Sequence, residues 1–231
     1  MILSLDSTTS VCSVALHHQG KLVDTQFISE PREASSKLLS EVKNLLSKNF
    51  VNPSDLKAIA LSSGPGSYTG LRISAAAAKG LCYALNIPLI SINSLLVLAF
   101  AITQSNASDL FCPMLDARRL EVYCCLLNSN LSFAKEMEAK VLDQHSFSTE
   151  LDQSRITFFG DGSAKFKEIA NHPNAIFVDG VFPEAKNLGF LAYEKFLQND
   201  FENLDQFEPL YLKDFIVKKK IPKTSDQNDK A

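Results

Sequence analysis

Apolar and polar positions alternate along the first part of the chain in a pattern that predicts strands followed by helices. The opening segments are short, apolar and joined by polar turns, which is typical of three antiparallel strands, here at 2–6, 11–16 and 21–28. A stripe that includes Leu38 and Val42 recurs at helical spacing and predicts a helix over 33–48. The pattern then predicts strands at 58–61 and 89–92 and helices at 71–85 and 94–103.

A second group of elements follows the same plan. Its predicted strands and helices alternate after a polar linker, with strands at 111–116, 121–127, 134–142, 156–159 and 176–178, and helices at 163–170 and 184–197. Each group opens with a strand that ends in an aspartate, Asp6 or Asp116, and a polar turn follows. We therefore expect an α/β protein of two lobes with mixed sheets, 1–105 and 106–212, and a basic tail over 213–231 that is disordered.

Composition narrows the class of protein. The chain of 231 residues carries a net charge of −3 at pH 7, which argues against a free-standing nucleic-acid binder. Its 5 cysteines form no Cys-x-x-Cys and lie in apolar segments, as buried thiols in a reducing cytoplasm do. The longest apolar run, 95–102, is too short for a bilayer, and the first residues lack a signal-peptide layout. We expect a cytoplasmic protein with no membrane partner.

A glycine-rich loop over 62–72 is the most informative motif. It joins a predicted strand to a predicted helix, so Gly64, Gly66 and Ser67 could present backbone N–H groups to a phosphate. No lysine follows Gly70, which excludes a P-loop, and the glycines are spaced one residue too far apart for a dinucleotide-binding loop. The alternative is a tight strand-to-helix connection without a ligand.

The turn after the first strand also carries polar groups. Asp6, with the hydroxyls of Ser7 and Thr8, could hold a hydrated magnesium ion or contact phosphates. The same residue types also satisfy the backbone of their own turn. Both interpretations stay open at the level of sequence.

The second group of elements offers two further candidate turns. Asp116 precedes Arg118 in a turn whose arginines could bind phosphate or carboxylate, or pair with nearby acids. Gly160 and Gly162 flank Asp161 at a strand-to-helix joint, which could admit a ligand or form a tight turn with a helix cap. The four histidines are scattered without metal-binding spacing, so we expect no metal site.

The helix predicted at 71–85 carries small residues on one face. Ala76, Gly80 and Ala84 recur at every fourth position, which would let another backbone approach closely. That face could pack on the sheet of its own lobe or against another chain. The lysines of the tail are either solvated or near the phosphates of an RNA held by a partner.

These segments together resemble the TsaB (YeaZ) family, which takes part in making threonylcarbamoyladenosine in bacterial tRNA. The resemblance covers about residues 1–220 and is carried by five stretches, ILSLDSTT at 2–9, CSVAL at 12–16, GPGSYTGLRI at 64–73, DAR with EVY between 116 and 123, and PLYL at 209–212. The glycine loop is the specific motif, and the others support it in the same order along the chain.

The resemblance implies a two-lobe actin-like, sugar-kinase-like ATPase fold, with a ribonuclease-H-like mixed sheet in each lobe. It also implies a non-catalytic subunit that pairs with a catalytic paralogue, TsaD, and with the ATPase TsaE, which use ATP and magnesium and act on tRNA. Pairing in the family uses the helices at 33–48 and 71–85. The interface residues implied here are Ala34, Lys37, Leu38, Glu41, Arg72, Ala76, Gly80 and Ala84.

The chain departs from active relatives in ways that favour a degenerate site. TsaD-type enzymes hold metal with His-x-x-x-His, which this sequence lacks, and Ser7 and Ala117 follow the two aspartates where nucleotide-binding relatives have glycine. We therefore expect no intrinsic cofactor, at most a vestigial phosphate site, and a homodimer when the chain is alone. The alternative is an ATP-dependent phosphotransferase of the same fold, whereas a hydrolase lacks any visible nucleophile–base set.

Overall fold

The computed structural model describes residues 1–28, 34–103 and 108–213. The first sheet has five strands, and its order is β3-β2-β1-β4-β5. The strands are β1 (Ile2–Asp6), β2 (Cys12–His18), β3 (Lys21–Ile28), β4 (Ala58–Gly64) and β5 (Leu89–Asn93). The first three pair antiparallel, and β4 and β5 add to β1 in parallel, so the sheet is mixed as predicted.

The second sheet repeats this arrangement. Its strands are β6 (Leu110–Asp116), β7 (Glu121–Leu127), β8 (Phe133–Val141), β9 (Ile156–Phe159) and β10 (Ala175–Val178). They lie in the order β8-β7-β6-β9-β10, again with an antiparallel meander followed by parallel strands. Two lobes with the same strand order confirm the predicted fold class, the two-lobe actin-like and sugar-kinase-like ATPase fold.

Six α-helices flank the two sheets in the described part of the chain. They are α1 (Ala34–Lys48), α2 (Tyr68–Leu85), α3 (Ser94–Thr103), α4 (Ser148–Gln153), α5 (Ser163–Lys167) and α6 (Ala185–Leu197). The helix predicted at 71–85 begins earlier because the Ser67 side chain caps it, accepting a hydrogen bond from the Gly70 N–H at 3.3 Å. The short α4 was not predicted, and α5 ends earlier than residue 170.

The two faces of the first sheet differ in chemistry. One face is large and apolar, with Leu3, Leu5 and Leu16 packed in one core with residues of α1 and α2. The other face packs on α6, and most of its side chains are small or polar. Its buried residues there include Ile2, Ser4, Asp6, Ser13, His17, Ala58, Ala60 and Ser62. This second face therefore depends on polar contacts as well as apolar burial.

His17 shows how close α6 lies to that face. Its Nε2 lies 3.0 Å from the Lys186 carbonyl oxygen, so this nitrogen carries the proton, and its ring packs edge-on against Phe190 with centroids 5.1 Å apart. A β-carbon on Gly189 would come within 2.1 Å of the His17 ring. Only glycine at residue 189 permits this approach.

The C-terminal part of the described chain returns to the first lobe. Helix α6 contacts every strand of the first sheet, Glu202 pairs with Leu89 at the edge of β5, and Phe207 is buried in the first-lobe core. The Leu210 N–H donates to the Ser63 carbonyl at 2.7 Å. The lobe boundaries at residues 105 and 212 remain predictions. They assign α6 and the segment after it to the second lobe, whereas these residues contact the first sheet.

Two further expectations concern membrane-spanning segments and the C-terminal tail. In the part that the structure describes, no helix is both long and apolar enough to cross a membrane. The tail predicted to be disordered lies outside the described residues from 214 onward.

Candidate functional site

A cleft of about 610 Å³ lies between the two lobes, where their hairpin turns face each other. It brings together six of the predicted site residues, Ser7, Thr8, Gly66, Ser67, Asp116 and Arg118. The other four predicted residues, Asp6, Gly64, Gly160 and Gly162, do not line it. The structure thus brings the candidate turns of both lobes together at one site, but some residues of these turns lie behind the cleft and do not line it.

The glycine loop packs directly on the β1–β2 turn. The Ser67 N–H donates to the Thr8 carbonyl at 2.7 Å, and the Ser7 hydroxyl donates to the Gly70 carbonyl at 2.7 Å. A β-carbon on Gly66 would lie 2.6 Å from the Thr8 carbonyl oxygen. These glycines therefore serve a close backbone contact between two turns of the first lobe, and the turn takes up space beside the loop.

Gly64 serves a contact with the returning chain. Its φ of 113° lies in the region that favours glycine, and a β-carbon there would lie 2.5 Å from the Leu210 carbonyl oxygen. The Gly64 N–H donates to the Ser94 hydroxyl at 3.0 Å, and the Gly64–Pro65 peptide bond is cis. Gly64 thus has a packing role behind the cleft.

Asp6 is sealed beneath the turn. Its side chain accepts hydrogen bonds from the Thr8 N–H at 3.1 Å, from the Thr8 hydroxyl at 2.8 Å and from the Ser62 hydroxyl. Complete burial raises the pKa of the carboxyl, the hydrogen bonds from Ser62 and Thr8 oppose this, and the negative charge of Glu184 adds to it. A ligand in the cleft would reach Asp6 only if the turn moved.

The second lobe holds its turn with a network of charges. Asp116 accepts from the Arg118 N–H at 2.5 Å and from the Lys165 ammonium at 2.7 Å. Its own N–H donates to the Asp161 carboxylate at 2.9 Å. Burial raises the pKa of Asp161, and the nearby charge of Asp116 adds to the rise. The alternative that Asp161 or Ser163 caps the helix is wrong, because α5 has no side-chain cap. The Asp161 carboxylate bonds the Asp116 backbone, and the Ser163 hydroxyl donates to the Gly160 carbonyl at 2.7 Å.

Gly160 and Gly162 pack behind this network. A β-carbon on Gly160 would lie 2.2 Å from the Met114 carbonyl oxygen, and one on Gly162 would lie 2.9 Å from the Leu115 carbonyl carbon. The joint between β9 and α5 therefore needs glycine to approach β6. Asp161, between the two glycines, is the residue of this joint that reaches the cleft.

Arg118 is the cleft residue with the most freedom to meet an anion. It has a φ of 70°, and its side chain is exposed. Within residues 1–28, 34–103 and 108–213, its guanidinium forms no hydrogen bond or ion pair. A carboxylate or phosphate that entered from solvent could bind it without displacing another group.

Sequence reasoning missed an aromatic group at the mouth of the cleft. The Arg72 guanidinium lies 4.0 Å from the centre of the Tyr68 ring, and its Nε donates to the Tyr211 hydroxyl at 3.4 Å. The rings of Tyr68 and Tyr211 are 5.0 Å apart. The PLYL stretch at 209–212 contributed to the resemblance, but no local pattern indicated that it returns to the glycine loop.

The small-residue face of α2 is open to solvent. Arg72, Ala76, Gly80 and Ala84 are exposed, and a β-carbon on Gly80 would meet no atom within 4 Å. The first-lobe core instead includes other α2 residues, Ala75, Ala78 and Cys82. The alternative that this face packs on its own sheet is therefore wrong.

The predicted interface residues on α1 divide into two groups. Lys37 is exposed and Glu41 is half-buried, so both lie at the surface. Leu38 is not available, because it is 1% exposed and packs in the first-lobe core. The apolar stripe that Leu38 shares with Val42 was the signal that this side chain faces inward. The side chain of Ala34 lies outside the described residues.

The described residues contain no group of three or more His, Cys, Asp or Glu side chains that could hold a metal ion. The five cysteines are buried and unpaired. Burial raises the pKa of Cys12 to about 12 and that of Cys82 to about 11. The thiols are thus packing residues.

Comparison with known proteins agrees with this fold. A family model described as "TsaD: tRNA N6-adenosine threonylcarbamoyltransferase" matches residues 29–221. The chain is 28% identical over 228 residues to the Escherichia coli "tRNA threonylcarbamoyladenosine biosynthesis protein TsaB", covering 96% of this chain and 98% of that protein. A Haemophilus influenzae protein of the same name is 25% identical over 230 residues, covering 96% and 97%.

A solved structure extends the likeness to three dimensions. YeaZ from Pseudomonas aeruginosa superposes with a TM-score of 0.78 at 27% identity, covering 91% of this chain and 99% of that one. The family model covers more than half of the chain, so it defines the class of protein to which the chain belongs. The chain belongs to this TsaD family and, by its relatives and structural neighbours, to the TsaB (YeaZ) family within it.

Proposed function

We propose that this chain is a non-catalytic subunit in the synthesis of N6-threonylcarbamoyladenosine in tRNA. It would bind and support a TsaD-like catalytic paralogue and a TsaE-like ATPase, which use ATP and magnesium, and it would meet tRNA through that complex. The names of the relatives support a role in the pathway. The arrangement of the cleft and the face of α2 support the non-catalytic, partner-binding role.

Among the residues that the structure describes, no group of side chains in the cleft is placed for metal-assisted chemistry. The Asp6 carboxylate is buried and accepts hydrogen bonds from its own lobe, and the β1–β2 turn occupies the space beside the glycine loop. Asp116 forms an ion pair with Lys165, which weakens the attraction of its carboxylate for a cation. These contacts stabilise the turns rather than a reacting group.

The exposed face of α2 is the observation that carries the proposal. Arg72, Ala76, Gly80 and Ala84 present a shallow surface with a charged group at one end, and Tyr83 beside them is 83% exposed. Small residues allow two backbones to approach, and a tyrosine or arginine at the margin is typical of a strong interface contact. We therefore propose that this face and the exposed side of α1 bind the paralogue.

A mixing experiment with the cognate TsaD-like protein tests this interface. Gly80→Arg should abolish co-elution in size-exclusion chromatography, because the new side chain projects from open surface into the contact without disturbing the free protein. Ala164→Arg adds the same charge at an exposed position of α5, next to the second sheet. This variant should co-elute with the TsaD-like protein as the unchanged chain does. Two separate peaks for the unchanged proteins at low salt would contradict the proposal.

The same face accounts for the proposed homodimer. An interface surface that is exposed in the absence of its partner can pair with a second copy of the chain by two-fold symmetry. Light scattering at high concentration should give a mass above that of one chain, and Gly80→Arg should return it to the monomer. A monomeric mass for the unchanged chain would contradict self-pairing and leave the partner test unaffected.

An ATP-dependent phosphotransferase is the second candidate. The volume of the cleft and the exposed Arg118 guanidinium in its lining favour it. A nucleotide that binds only the folded state would raise the melting temperature at millimolar ATP with magnesium. The absence of any shift would remove this candidate, whereas a shift lost in Arg118→Ala would place the nucleotide in the cleft.

A further inference from the structure

The last described residues, 207–213, run from the first-lobe core across the mouth of the cleft to the second lobe, and we call them the C-terminal strap. Phe207 is 8% exposed and anchors one end in the first-lobe core. Its carbonyl accepts from the Lys79 ammonium at 3.2 Å. This end of the strap is therefore fixed to α2.

The middle of the strap is held by the glycine loop. The Leu210 N–H donates to the Ser63 carbonyl at 2.7 Å, and the Leu210 carbonyl lies over the Cα of Gly64. Tyr211 then packs on Tyr68 and accepts from Arg72. Residues 210–213 all line the cleft, so they form part of its wall.

The far end reaches the second lobe. The Lys213 ammonium pairs with the Glu121 carboxylate at the start of β7, and these side chains are 37% and 21% exposed. The lobes also meet through α3, whose Leu95, Leu98 and Ala99 pack with Phe111 and Leu115 of β6. The α3 contact is a broad apolar surface, beside which the Asn93 side chain of β5 donates to the Met137 sulfur of β8 at 3.4 Å. The contact of the strap with the second lobe is a single, half-buried ion pair.

We propose that the C-terminal strap is a latch that holds the cleft closed, with the Lys213–Glu121 ion pair as its releasable end. An apolar surface at α3 can act as a pivot while the lobes separate, because its burial need not be lost in a small rotation. The ion pair is the contact that such a rotation would break. Tyr211 connects the latch to Arg72, so opening would also change the end of the exposed α2 face.

The proposal does not depend on the function proposed above, since it concerns the free chain. Two spin labels measure it directly, one at Ser54→Cys in the first lobe and one at Ser129→Cys in the β7–β8 turn, both at exposed positions. The native thiols are buried and should not take up label. The unchanged strap should give one narrow distance distribution between the labels.

Charge reversal then tests the latch. Lys213→Glu should add a population at longer distance, and combining it with Glu121→Lys should restore the single distribution. Lys167→Glu, which breaks the Lys167–Asp179 pair within the second lobe, is the control and should change nothing. An unchanged distribution in Lys213→Glu, or an equal change in the control, would overturn the proposal.

A second measurement uses a native thiol. Cys12 and Cys82 are both buried in the first-lobe core, but Cys12 also lines the cleft and Cys82 does not. Lys213→Glu should raise the alkylation rate of Cys12 several-fold and leave that of Cys82 unchanged. Equal rates for Cys12 in the unchanged protein and the variant would show that the ion pair does not control access to the cleft.

Discussion

The carbonyl oxygen of Ser7 lies so close to the Cα of Gly70 that a β-carbon on residue 70 would come within 1.7 Å of it. This contact joins the β1–β2 turn to the first turn of α2. The Ser7 hydroxyl strengthens it by donating to the Gly70 carbonyl at 2.7 Å. The two turns can therefore keep their positions only while residue 70 has no side chain.

Gly70→Ala should destabilise the free protein by about 3 kcal/mol, at the upper end of overpacking costs, because the obstacle is backbone. Gly80→Ala on the same helix is the matched control. It has open space around it and should stabilise the fold by roughly 0.5–1 kcal/mol through helix propensity. Urea unfolding measures both, and equal effects of the two substitutions would contradict the contact.

His17 should make the fold sensitive to mild acid. Burial lowers the pKa of its imidazole below the ordinary 6.5, and the hydrogen bond to the Lys186 carbonyl opposes this only in part. Below pH 6.5 the unfolded chain takes up a proton that the native state does not. Stability should therefore fall, by up to about 1.4 kcal/mol per pH unit, until the folded pKa is reached.

The control for this prediction is His17→Gln, which keeps a donor for the Lys186 carbonyl but cannot titrate. Urea unfolding between pH 7.5 and pH 5 should show a smaller loss for the variant than for the unchanged protein. Parallel curves would contradict the prediction, because the acid response would then not come from His17.

Asp6 should tolerate replacement by its neutral analogue. Its pKa is raised by burial, so as pH rises above the ordinary 3.8 the unfolded chain loses this proton first, and stability is lost up to the folded pKa. Asp6→Asn removes that loss and should be at least as stable as the unchanged protein at pH 7. Asp6→Ala should cost about 2 kcal/mol, because the Thr8 and Ser62 donors lose their acceptor. A large loss in Asp6→Asn would show that the charge itself stabilises the fold.

The five thiols should resist modification in the folded protein. They are buried, and burial raises the pKa of Cys12, Cys82, Cys112 and Cys125. Reaction with a disulfide reagent at pH 8 should be slower than in 8 M urea by on the order of 100-fold or more, since the thiolate is both scarce and inaccessible. One thiol that reacts at the unfolded rate would reveal a local opening.

Local patterns were sufficient for most of the fold. The strands at 2–6, 21–28 and 121–127 and the helix at 94–103 have the predicted bounds, because polar residues follow each segment. Ser67 was read as part of a loop, although serine before a small-residue run is a typical helix cap. Helix α4 has only 6 residues, which is too short for an apolar period to be detected.

The candidate site was harder to predict because it depends on contacts distant in sequence. The residue types at 6–8, 116–118 and 160–162 indicated polar turns, but only the packing shows that Asp6 lies behind the wall and Asp161 reaches the cleft. Tyr211 lies 139 positions from Arg72, its hydrogen-bond partner. No local pattern carries that information.

The return of α6 to the first sheet has a consequence for synthesis on the ribosome. Until residues near 188 have left the exit tunnel, Ile2, Ala58 and Ile90 have no Leu188 or Ala192 to cover them. The first half of the nascent chain thus exposes an aggregation-prone surface while the second half is translated. Native assembly of the first lobe is a late event, and a chain stopped before α6 should depend on chaperones to stay in solution.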